Sequence, residues 1–242
     1  MEFSFDGIGS AAQSMSPAAI PTGHNNKGFF KRALMNLFII AFMFGFVELY
    51  TFCLGSGNGL IGLTISLAII SFWRTDIGIK PLQGAFVIWG SFLLTGGATF
   101  LASFHPAIGV FVNFASIYTI LTLTSHQPMA KAYYPILSCY LFAQSSPVYG
   151  IDYGLRMIGI AGGGLIVAII YYIRHRKVKR RRNITDIFRE THFCSIRTKF
   201  FIRLTTGLTI AMLIGDFYHV LKPAWISFTV LSLVHPFVNE SR

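Results

Sequence analysis

Charge is what this sequence has least of. Asp, Glu, Lys and Arg together make up 12% of its 242 residues, against ~25% in an ordinary soluble domain. So few charges cannot solvate the surface of a water-soluble globule of this size. Acids are the scarcer sign, nine Asp and Glu against 20 Lys and Arg, which leaves a formal net charge of +11. Cysteine is nearly absent: Cys53, Cys139 and Cys194 are far apart and form neither a C-x-x-C pair nor a Cys/His metal spacing. They read as small apolar residues and one free thiol. The N-terminus lacks a charged segment followed by an apolar one, so no cleaved signal peptide is read there. No nucleophile–base pair and no metal-ligating trio occurs at a usable spacing, so the reading is not an enzyme, with no cofactor and no metal.

Apolar residues fill the sequence instead: 53% are hydrophobic and the mean hydropathy is +0.59. They are gathered into runs. An α-helix needs ~17–25 apolar residues to cross ~30 Å of hydrocarbon. Runs that qualify or approach this length lie at 33–52, 59–73, 84–104, 107–124, 133–146, 154–173, 200–217 and 223–238. The fold class expected is an all-α integral membrane protein. Residues 1–28 form a mobile cytoplasmic tail, 29–173 a six-helix unit, 174–199 a basic cytoplasmic linker, and 200–238 a two-helix start of a second unit. The fifth run is the weakest, being short and containing Pro135.

Basic residues punctuate these runs on alternate sides. With the N-terminus in the cytoplasm, every Lys and Arg but Arg156 and Lys222 falls inside, the bias that sets orientation in short loops. The densest cluster, RHRKVKRRR, follows the sixth run and supplies Arg174, Arg176, Lys177, Lys179, Arg180, Arg181 and Arg182. Such a run by itself suits nucleic acid as well as membrane. Here it abuts an apolar span and lacks aromatic interleaving, so it reads as a topology signal that also attracts anionic headgroups, at about 1 kcal/mol per basic residue. The partners implied are the lipid bilayer and its anionic headgroups, and no nucleic acid.

The seventh and eighth runs echo the first and second. Arg32 and Arg203 open corresponding helices, and IGLTISLA and ISFTVLSL carry Thr64 and Thr229 in the same place. Parallel repeats of this kind occur in secondary transporters. The segment RTKFFIRLTTGLTIAMLIGDFYHVLKPAWISFTVLSLVHPF, with Arg203, Trp225, Thr229 and Pro236, resembles the start of the second membrane half in the fusaric-acid-resistance / aromatic-acid exporter (FUSC) family. Residues 29–175 resemble its first half, with Leu60 where the family has Trp. The family's large cytoplasmic insert is reduced to a short linker, and the remainder of the second half is not in the sequence. The resemblance implies a bacterial inner-membrane protein related to proton-driven efflux of aromatic carboxylates. A C-terminally truncated chain is expected; an eight-helix protein complete as it stands is the alternative. Unpaired repeat helices also lead us to expect either a homodimer or a missing C-terminus.

Candidate transport residues follow from cost. An ionisable group inside a span is expensive and by default functional, which singles out Glu48 and its approximate counterpart Asp216, alongside Thr64 and Thr229. Arg203 either snorkels to the cytoplasmic surface or attracts a carboxylate substrate at the inner mouth. Arg156 and Asp152 read as a surface pair of little energetic weight. Gly162-Gly163-Gly164 and the Gly159/Gly163 pair read as helix-packing positions, Gly96-Gly97 as packing or a kink, and Trp89, Trp225, Tyr133 and Tyr134 as interfacial belt residues. The function expected is efflux of small organic anions; the alternative is a non-transporting assembly or scaffold subunit. A polar path with Glu48 facing inward separates the first from the second.

Overall fold

A computed structural model describes residues 26–124, 131–178, 182–189, 196–218 and 223–234. Among these the chain is almost wholly helical, with no strand. The helices are α1 (Asn26–Leu54), α2 (Gly59–Arg74), α3 (Pro81–Ala102), α4 (Pro106–Thr124), α5 (Tyr134–Ser145), α6 (Ile151–His175), α7 (Ile184–Arg189), α8 (Ile196–Phe217) and α9 (Pro223–Leu233). Six of them are long and apolar enough to cross a membrane: α1, α2, α3, α4, α6 and α8. In hydrocarbon every backbone N–H and C=O must pair within the protein, which is why apolar runs of this length become helices. Proline marks where helices begin, at the first or second position of α3, α4, α5 and α9, where its missing N–H has no partner to lose. The described residues divide into two compact units, one ending at Ala41 and the other beginning at Phe42. The features below lie in the second.

Helix α6 is the hub, packed on α3 and α2. Its glycines make that possible. A Cβ at Gly159 would lie within van der Waals radius of the Tyr50 hydroxyl, one at Gly163 would meet Ile65, and one at Gly164 would sit 2.6 Å from the Phe92 Cβ. Between lipid-soluble helices association rests on such close packing, since tails are as apolar as the side chains. Gly162, expected to pack with its neighbours, instead faces open space and takes no part. Trp89 is no belt residue: it sits mid-helix in α3 and donates its indole N–H to the Ala161 carbonyl of α6 at 3.2 Å. Tyr133, at the start of α5, is buried.

Two of the eight expected spans are short. Helix α5 has 12 residues and α9 has 11, about 18 Å and 16 Å at 1.5 Å per residue. Yet α5 is the most enclosed element, with Pro135 to Leu141 all buried, held by α2, α3, α4 and α9. Helices α8 and α9 pack on each other and on α4 and α5 respectively, so the segment read as the start of a second unit is built onto the first.

The basic linker is partly folded. The Arg182 carbonyl accepts the Lys80 N–H at 3.1 Å, and Gln83 Oε1 accepts the Ile184 N–H at 3.0 Å. These bonds pin the start of α7 to the start of α3, and α7 leans on α4. Arg174 stacks over Trp73 at 5.4 Å. Arg176 and Lys177 are exposed. Lys179, Arg180, Arg181, Cys194, Lys222 and Pro236 lie outside the described residues.

Candidate functional site

Gly150, at φ 61, turns the chain into α6, and Arg156 falls in its second turn. The sequence suggests a surface residue there. The structure buries it to 2% exposure. Nε donates to Asn58 Oδ1 at 2.8 Å, Nη1 to the carbonyls of Ala143 at 3.2 Å and Ser146, and Nη2 to the Gly57 carbonyl at 3.0 Å. One guanidinium therefore clamps the turn before α2 to the end of α5. A guanidinium offers five N–H donors, and four are engaged. All four acceptors are neutral, so these bonds disperse the charge without cancelling it. Asp152 is exposed in the first turn of α6, where a carboxylate favours the helix dipole.

Arg156 lies on the wall of a cavity of about 240 Å³, together with Thr99, Gln144, Tyr153 and Asp216. Buried Gln144 Oε1 has no hydrogen-bond partner, while the Tyr153 hydroxyl donates to the Gly96 carbonyl at 2.8 Å. The cavity thus holds a cation, an anion and an orphaned amide oxygen. It collects the ends of α3, α5 and α8 and the starts of α4 and α6.

A second cavity, of about 720 Å³, opens at the opposite end of α5, beside the ends of α2 and α9. Its lining includes Arg74 at the end of α2, Lys131, Tyr133 and Tyr134 at the start of α5, and Leu231 and Ser232 at the end of α9. Helix ends therefore alternate as the charge pattern predicts: Arg74 and Lys131 share one face, Arg156 the other.

Helix α5 separates the two cavities. Pro135 lines the larger and Ala143 the smaller. Eight residues of helix rise about 12 Å, less than half of a ~30 Å hydrocarbon core. The barrier along α5 includes Ile136, Leu137 and Tyr140, all buried. Tyr140 donates to Asn113 Oδ1 of α4 at 2.7 Å.

The residues singled out from sequence do not converge. Glu48 and Arg203 are exposed. Thr64 is buried and donates to the Ile61 carbonyl at 2.8 Å. Thr229 is exposed and donates to Trp225. Asp216 alone lines one of the two cavities, which it shares with Arg156 and not with Glu48. Among the described residues no group of three His, Cys, Asp or Glu could hold a metal ion. Arg156 was legible as an outside cation, but its partners are mostly backbone carbonyls, which no sequence pattern displays.

Comparison of the chain with protein-family models, with curated proteins and with solved structures finds no match. What the fold defines is a multi-pass α-helical membrane protein, and the functional reading rests on the cavities.

Proposed function

We propose that this protein moves small organic anions across the membrane, with aromatic carboxylates as the leading class. The observation that carries the reading is the thin barrier: two cavities at opposite ends of α5, one with Arg74 and Lys131 and the other with Arg156, approach within about 12 Å along the helix. Transporters place their sites near the midplane around short or interrupted helices, and α5 is such a helix. Arg156 supplies a fixed cation with one N–H to spare for a carboxylate. Arg74 and Lys131 supply the counterpart on the other face. In this reading Asp216, on the wall of the same cavity, couples the proton: ionised, it repels a carboxylate substrate, and protonated it does not. The FUSC-like motif at Arg203, Trp225 and Thr229 supports the same substrate class and a bacterial inner membrane, and the positive-inside pattern supports an N-terminus in the cytoplasm.

The test is flux of radiolabelled benzoate in proteoliposomes holding the full chain. Saturable uptake is expected, reduced roughly tenfold or more in Arg156→Lys, because a lost charge-assisted hydrogen bond is worth about 1.5–3 kcal/mol. Flux indistinguishable from empty vesicles, across a panel of small aromatic and aliphatic carboxylates, rejects the proposal.

A second reading has its own observation. Glu48 faces outward, as it does in a dry assembly subunit whose acid reaches headgroups. A stable oligomer in detergent combined with absence of flux favours that reading.

A further inference from the structure

Hydroxyls inside the helices of this protein follow a rule, and two adjacent helices break it. A buried Ser or Thr in an apolar helix normally donates to a carbonyl of the preceding turn. Thr64, Ser91, Thr95, Thr99 and Thr124 all do so. Among the described residues, the Ser and Thr hydroxyls that are buried with no partner are Thr122, Thr205 and Thr209. Their exposures are 3%, 0% and 6%. Thr122 is on α4, and the other two are on α8, which packs on α4.

The wheel of α8 shows which way they face. A Cβ at Gly207 would sit 3.0 Å from Val230, and one at Gly215 2.7 Å from Pro223, so that side of α8 meets α9. Thr205 and Thr209 each stand two residues from Gly207, roughly 200° around the helix. They turn away from α9 and toward α4, the other main neighbour of α8. On α4, Thr122 stands nine residues from Asn113, about 180° around the helix, so it faces away from the α5 side, where Asn113 meets Tyr140. Asp216 is two turns beyond Thr209 on the same face, and it lines the Arg156 cavity with Pro106, the first residue of α4.

An unpartnered hydroxyl in a dry helix interface costs free energy that the ordinary back-bond avoids. We infer that the seam between α4 and α8, carrying Thr122, Thr205 and Thr209 and opening at the Arg156 cavity by Asp216, is a hydrated polar track that takes water and the carboxylate oxygens of the permeating anion. This rests on the transport reading for its cargo but not for its hydration.

The experiment is cysteine accessibility in membrane vesicles, in the full chain with Cys53→Ser and Cys194→Ser. Thr205→Cys, Thr209→Cys and Ile210→Cys are treated with a charged methanethiosulfonate, then with an apolar maleimide. A wet seam gives reaction of Thr209→Cys and Thr205→Cys with the charged reagent, Thr209→Cys faster because it is nearer the cavity, and none for Ile210→Cys on the exposed side. Protection of both threonine positions to the level of Ile210→Cys overturns the inference. If the cysteine variants do not assemble, Thr205→Val with Thr209→Val decides: a raised melting temperature means the hydroxyls were dry and sinks the track, and an unchanged or lowered one supports it. Labelling without benzoate flux leaves the track standing and removes its proposed cargo. Flux with both positions protected does the reverse.

Discussion

Arg156 and Asn58 lie 98 residues apart in the chain and 2.8 Å apart in space, joined by a hydrogen bond from Nε to Oδ1. Asn58 also donates to the Leu54 carbonyl at 2.7 Å, closing the end of α1. The same guanidinium holds Gly57, Ala143 and Ser146. Lysine keeps the charge but not the planar fork, so Arg156→Lys is expected to lower stability by about 2 kcal/mol. Asn58→Ala removes one acceptor from a buried cation and is expected to cost about 1–3 kcal/mol. Thermal unfolding in detergent reads both. Neither variant matching this direction would mean the clamp is not a stability element.

Much of this architecture was legible because hydropathy is a one-dimensional signal. The six long spans need only their own residues to be recognised. The alternation of helix ends was legible for the same reason, since Arg74, Lys131 and Arg156 mark faces by charge alone. The clamp was not. Arg156 next to Asp152 has the look of a surface pair, and nothing in the sequence ties residue 156 to carbonyls at 57, 143 and 146. Asp216 was found for a reason that the structure does not use. The repeat pairs it with Glu48, whereas in the structure it lines the same cavity as Arg156. The unpartnered threonines were invisible too, because a sequence gives no rotamers.

The glycines of α6 separate packing from mere composition. Gly159→Ala puts a methyl into the Tyr50 ring and hydroxyl, and Gly164→Ala puts one 2.6 Å from Phe92 Cβ. Overpacking of this kind costs typically 1–3 kcal/mol. Gly162→Ala meets open space and is expected to be neutral or slightly stabilising through helix propensity. A melting series over the three variants checks the order. Equal losses at all three positions would show that α6 is held by something other than these contacts.

The linker has a lock that proteolysis can read. Gln83 Oε1 accepts the first N–H of α7, and Asp76 Oδ1 accepts from Tyr171 at 2.8 Å and from the Gly78 N–H at 3.0 Å. Gln83→Ala removes the acceptor, at a net cost of about 0.5–1.5 kcal/mol. Local opening governs cleavage when reclosing is fast, so trypsin is expected to cut after Arg182 or Arg189 roughly two- to tenfold faster in Gln83→Ala than in the parent chain. Identical cleavage rates would place α7 outside any lock made by α3.

The larger cavity makes the sharpest demand on the transport reading. Arg74 and Lys131 converge there from different helices, α2 and the segment before α5, and both are exposed to the same opening. Two cations at the mouth of a low-dielectric cavity raise the local concentration of anions, an effect worth ~10-fold or more in capture at low salt. The Debye length shrinks from ~30 Å at 0.01 M to ~3 Å at 1 M, so the advantage fades as salt rises. Arg74→Gln with Lys131→Gln is therefore expected to slow benzoate flux from that face by roughly tenfold at low ionic strength and to converge on the parent rate at high salt. The chain contributes no cation from those positions to the Arg156 cavity, so entry from the opposite face is expected to respond less. Vesicles sorted by orientation distinguish the two directions. A salt-independent loss would assign Arg74 and Lys131 to holding the helix ends rather than to drawing in the anion.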